Sequence, residues 1–149
     1  MFRILLALHV LAAIFAVGPL VHAATTASRG LRTADAKATA AAARTVTLYS
    51  YVSGVVVVLG FGLMSSKSYY THQTTADFGD TWIWLSMLLW LAAVGVALGV
   101  TAPALTKATG LLEGGSSVEA LTAKVAASGG VVALLFAAIV FLMVYRPGS

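Results

Sequence analysis

Few residues in this chain could do chemistry: three histidines, four methionines and no cysteine. The imidazoles are His9, His22 and His72, and the methionines beyond Met1 are Met64, Met87 and Met143. Imidazole nitrogen and thioether sulfur together suit Cu(I) or a haem iron. The lack of thiols excludes disulfides, iron–sulfur clusters, thiolate metal sites and a Cys nucleophile. No Gly-rich phosphate loop, zinc motif or nucleophile elbow is present. What these residues can do therefore depends on the elements that hold them.

The charges define those elements. Only 9% of the 149 residues are charged, and 60% are hydrophobic. Four windows carry no charge at all: 25 residues between Arg3 and Arg29, 22 between Arg44 and Lys67, 26 between Asp80 and Lys107, and 21 between Lys124 and Arg146. A hydrocarbon layer about 30 Å thick takes about 20 apolar residues at 1.5 Å rise each. Runs such as Val55-Val56-Val57-Val58-Leu59 do not alternate in polarity, which excludes a β-barrel. Helices satisfy every backbone amide internally, as hydrocarbon demands. The expectation is an all-α membrane protein, a single domain over residues 1–149. It forms a four-helix transmembrane bundle of two hairpins, with spans at about 4–23, 45–64, 81–105 and 125–145. A soluble domain, a disordered tail and a nucleic-acid binder are excluded.

Six basic residues (Arg29, Arg32, Lys37, Arg44, Lys107, Lys124) fall on the side of the two hairpin loops, against Arg3, Lys67 and Arg146 on the other. The positive-inside rule puts the first side in the cytoplasm and both termini outside. Val21-His22-Ala23 has the form of a signal-peptide cleavage site, but the basic residues that follow favour a retained anchor. The stretch Thr33–Arg44 is alanine-rich and predicts that helix 2 starts near Ala34, with Thr33 as N-cap and Asp35 in the first turn. Ser116-Ser117-Val118-Glu119 has capping-box spacing and predicts a start near Ser117 for helix 4. Each hairpin reads as a helix ending at a proline (Pro19, Pro103), a glycine-containing turn, and a capped helix returning. Tyr69, Tyr70, Trp82, Trp84 and Tyr145 suit an outer aromatic belt. The deeper Trp90 is placed to aim its indole N–H at a partner helix.

Small residues predict the packing. Gly95-x-x-x-Gly99 lies on helix 3, and Gly129, Ala133 and Ala137 recur at spacing four on helix 4. Such stripes let membrane helices approach closely, within the bundle or across a dimer interface.

No charged residue lies inside a span, which argues against a proton relay, a voltage sensor or an ion-coupled transporter. His22 falls near the cytoplasmic interface, about 20 Å along the helix from His9. His9, Met64, Met87 and Met143 all fall in the outer leaflet, one from each helix, with His72 above them. They form the candidate metal or cofactor set, for copper or haem b. The pair of helices each bearing a mid-membrane His, usual for b-type haem, is missing.

Three stretches carry a family resemblance. Leu8-His9-Val10-Leu11-Ala12-Ala13-Ile14 with Gly18, Gly60-Phe61-Gly62-Leu63-Met64, and Leu142-Met143-Val144-Tyr145-Arg146-Pro147 resemble the opening helix, the second-helix end and the closing segment of family 2269 of domains of unknown function. Arg146 stands where that family carries lysine, and the third helix lacks its usual Trp near the cytoplasmic end. The resemblance implies a bacterial integral protein of the cytoplasmic membrane, over nearly the whole chain. In looser form the His9 motif resembles copper-resistance membrane proteins of the CopD type. The expected function is non-enzymatic: a structural or accessory subunit, in a homo-oligomer or larger membrane complex. The alternatives are a haem- or copper-binding redox protein and an oligomeric small-molecule exporter. An exporter needs a polar route, for which Thr47, Ser50, Ser53, Ser86 and Thr101 are the material.

Overall fold

A computed structural model describes residues 1–67 and 76–148. Tyr69, Tyr70 and His72 lie outside the described residues. The helices are α1 (Phe2–Arg32), α2 (Ala36–Met64), α3 (Thr81–Val96), α4 (Ala102–Glu113) and α5 (Glu119–Tyr145), with a π-helical turn at Ala97–Thr101 joining α3 to α4. Four stretches are long and apolar enough to cross a membrane, with Thr81–Glu113 counting as one. Around the bundle, α1 packs on α2 and α5, α3 on α5, and α4 on α2.

The helices outrun the uncharged windows, and the prolines explain part of this. Pro19 sits inside α1 instead of ending it. In a membrane, a carbonyl freed by proline can be satisfied locally, so the helix continues. Pro103 likewise fails to stop its helix, because the π turn at Ala97–Thr101 lies directly before it. A wider turn moves the preceding carbonyls away from the pyrrolidine ring. Thr101 sits in that turn, its hydroxyl donating to the Val96 carbonyl at 3.4 Å and to Ser128 Oγ at 2.9 Å.

The hairpin turns differ from expectation. Asp35, not Thr33, is the N-cap of α2, and its carboxylate accepts from the Ala38 amide at 3.0 Å. The Thr33 hydroxyl instead reaches back to the Arg29 carbonyl at 3.0 Å, closing the end of α1. The first turn contains no glycine, since Gly30 lies within α1, and Ala34 takes the left-handed conformation at φ 53°. The second turn uses Gly115 at φ 72°. Helix α5 starts at Glu119, with Val118 in the N-cap position and no side-chain cap. The anticipated Ser116–Glu119 box does not form there.

The core is densest where α1, α2, α4 and α5 converge, toward the hairpin turns. Leu20, Val46, Leu105, Val125 and Val132 are fully buried there. Gly129 fixes the closest approach. A Cβ built on it would lie 2.0 Å from the Ala24 carbonyl oxygen, so only glycine lets α5 rest on the α1 backbone. Ala133, one turn further, is half-buried. Gly30 plays a smaller version of this role against Thr39, whose Oγ1 lies 3.0 Å from the missing Cβ. Gly95 and Gly99 do not pack inside the bundle. Both are exposed, and a Cβ on either would meet nothing within 4 Å. The neighbouring turns of that helix bury Ala93 and Ala97 instead, leaving the glycines on the opposite face.

Candidate functional site

His9 occupies the end of the bundle away from the hairpin turns. It is buried, in a helix stretch whose neighbours Leu8 and Val10 are exposed. Gly60 of α2 makes its space: a Cβ there would stand 3.2 Å from the imidazole Cε1. The ring also takes a hydrogen bond with the Val56 backbone, and Nδ1 is buried with no partner among the described residues. A neutral imidazole that donates from one nitrogen presents the other as a lone pair.

Two more buried polar atoms lack a partner among the described residues, Trp82 Nε1 and Ser86 Oγ, and both are on α3. The helix register shows how they relate to His9. Trp90 Nε1 donates to Ser53 Oγ at 3.0 Å, which pins α3 antiparallel to α2. One turn outward from Trp90 brings Ser86 level with Val57, and a second brings Trp82 level with Phe61. His9 is level with Gly60, so all three unpartnered atoms share one slab of the bundle. They are an imidazole nitrogen, an indole N–H and a hydroxyl at one depth of the bundle, each without a partner among the described residues.

The methionines of the candidate set lie toward the same end of the bundle as His9. Met64 is half-buried and packs on the small cluster of Ala76, Trp82 and Ile83. Met87 is half-buried next to Ser86, and Met143 is 38% exposed. His22 is exposed near the opposite end, where its carbonyl accepts from the Thr26 hydroxyl at 2.7 Å. Among the described residues, no three of His, Asp and Glu group to hold a metal ion.

The outer aromatics also divide. Trp84 is exposed, its indole N–H donating to the Phe78 carbonyl at 2.6 Å, and Tyr145 is exposed beside Phe141. Trp82 departs from the belt expected of it. Its side chain turns inward and is buried, with the Arg146 guanidinium 5.4 Å from the ring centroid. Sequence reasoning missed Trp82 and Ser86 as a site pair. Their i, i+4 spacing on one helix face was the available signal.

Four of the five hydroxyls that could line a polar route, all but Ser86, are hydrogen-bonded within the bundle. Ser50 donates to the Val46 carbonyl at 2.6 Å and Ser53 to the Ser50 carbonyl at 2.7 Å. Thr47 donates to the Ala43 carbonyl at 2.8 Å, and Thr101 to Ser128. Each is engaged with its own helix or a neighbour.

A family model described as "Predicted integral membrane protein (DUF2269)" matches residues 3–147. No curated protein and no solved structure matches the chain.

Proposed function

The chain belongs to the DUF2269 family of predicted integral membrane proteins, and on that footing we propose that it serves as a structural or accessory subunit of a membrane complex. The observation carrying this reading is the outward face of the Thr81–Glu113 span. Leu88, Leu91, Gly95 and Gly99 share that face at helical spacing, and all four are exposed. Gly129 illustrates what such a glycine does when a neighbour is present. A helix of another subunit could approach Gly95 and Gly99 as closely as α1 approaches Gly129. Purification in gentle detergent followed by mass spectrometry tests this. The wild type should hold a defined stoichiometry with itself or a second subunit, and Gly95→Leu should lose it. A wild type that is monomeric and alone would overturn the reading.

In this reading the protein lies in the bacterial cytoplasmic membrane, with the basic end in the cytoplasm and both termini outside. Ala38→Cys should then resist a membrane-impermeant thiol reagent added to intact cells. Labelling of that residue would reverse the orientation.

A second reading is favoured by the unpartnered Nδ1 of His9. It is a haem- or copper-binding membrane protein, with His9 as ligand and Met64, Met87 and Met143 as the nearby sulfurs. An absorption spectrum with a Soret band, or stoichiometric copper lost in His9→Ala, would support it. Purified wild type with neither would dismiss it.

A further inference from the structure

The molecule carries a lipid-facing groove of about 530 Å³ between α2 and the π turn with α4. Tyr51, Leu98 and Pro103 form its apolar floor, and Thr47, Thr106 and Lys107 close its end toward the hairpin turns. Arg44 belongs to the same end: it lies seven residues before Tyr51 and three before Thr47, on the same face of α2. Arg44 and Lys107 are both exposed. Each is also the first charge met on leaving its membrane span, one opening the window to Lys67 and the other closing the window from Asp80.

Lys107 lines the groove and Arg44 lies on the α2 face that also carries Thr47 and Tyr51, so both cations flank a groove that runs inward to Leu98, about 14 Å along the helix from Lys107. No carboxylate lines the groove. The Thr47 and Thr106 hydroxyls donate to the Ala43 and Ala102 carbonyls, which leaves recognition of an anion to Arg44 and Lys107. A second groove, of about 400 Å³, lies at the other end between α3 and α5. Its lining of Leu85, Leu89, Phe141, Leu142, Tyr145 and Pro147 has no cation. The difference in charge selects the ligand. The geometry points to the Arg44–Lys107 groove as a binding site for an anionic phospholipid. The phosphate sits between the two cations, and one acyl chain lies along Tyr51, Leu98 and Pro103.

Basic pockets between transmembrane helices take anionic headgroups, and each Lys or Arg near the surface contributes about fivefold. The test uses the full-length protein in a zwitterionic detergent, titrated with dioleoyl phosphatidylglycerol or dioleoyl phosphatidylcholine and read by native mass spectrometry and thermal unfolding. Wild type should prefer the anionic lipid by about 25-fold, as two such cations give. Arg44→Gln and Lys107→Gln should each lose about fivefold, and the double variant nearly all of the preference. Lys124→Gln removes another exposed cation from the same end of the bundle and should keep it. All three substituted side chains are exposed, so the unfolding midpoint without lipid should match wild type and separates lost binding from lost fold. Equal preference in the double variant, or no preference in wild type, would overturn the site. So would inorganic phosphate that reproduces the stabilisation, because the site would then hold a free anion and not a lipid.

Discussion

The two ends of the bundle solve the same packing problem differently. Toward the hairpin turns, Gly129 seats α5 against the Ala24 carbonyl, and the Thr101 hydroxyl pairs with Ser128 across helices. Toward the termini, His9 Nδ1, Trp82 Nε1 and Ser86 Oγ are buried without partners among the described residues. Lipid gives helices no hydrophobic reason to associate, so close van der Waals contact and interhelical hydrogen bonds must hold them. The first end has both. The second has the His9 ring packed against Gly60 and bonded to the Val56 backbone, and the three buried polar atoms without partners among the described residues. A buried polar group with no partner costs about 1–3 kcal/mol. The first end therefore behaves as scaffold, and the second is where a site can exist.

Substitutions can break or sharpen this contrast. The largest effect is expected from Gly129→Ala, whose methyl collides with backbone and not with a flexible side chain. It should destabilise by about 3 kcal/mol in detergent unfolding. Gly130→Ala, with nothing within 4 Å of its Cβ position, should stay within about 0.5 kcal/mol. Equal losses at the two positions would remove the Gly129 contact from the account. Thr101→Val comes next. It should cost about 1 kcal/mol by breaking the bond to Ser128. Trp90→Phe should cost less, about 0.6 kcal/mol, because Ser53 keeps its bond to the Ser50 carbonyl. Ser86→Ala at the other end should be neutral or slightly stabilising, since it removes an unpartnered hydroxyl. A loss above about 1 kcal/mol there would mean that Ser86 already has a partner, and the two ends would no longer differ.

The four spans were legible because charge is costly in hydrocarbon, and the uncharged windows mark them directly. Helix ends were not, because alanine-rich sequence continues a helix past the membrane boundary and the caps compete within a few residues. Asp35 took the cap from Thr33 because its carboxylate reaches the Ala38 amide, three residues on. The π turn escaped notice although Pro103 signalled a disturbance there. Apolar composition could not separate the two glycine stripes either. Gly95 and Gly129 look alike in sequence, and which face of a helix turns inward is decided by the whole bundle. His9 stood out as a lone imidazole in an apolar helix. Its unpartnered companions did not, because a serine and a tryptophan in a membrane span are ordinary until their burial is known.

The central functional claim is that the Gly95–Gly99 face receives another transmembrane helix. A photo-crosslinking residue at Gly95, with Leu134 on the exposed face of α5 as the control position, tests it most directly in native membranes. The account predicts one discrete protein adduct of fixed mass from Gly95, and none from Leu134. Lipid adducts alone at Gly95, indistinguishable from those at Leu134, would contradict it.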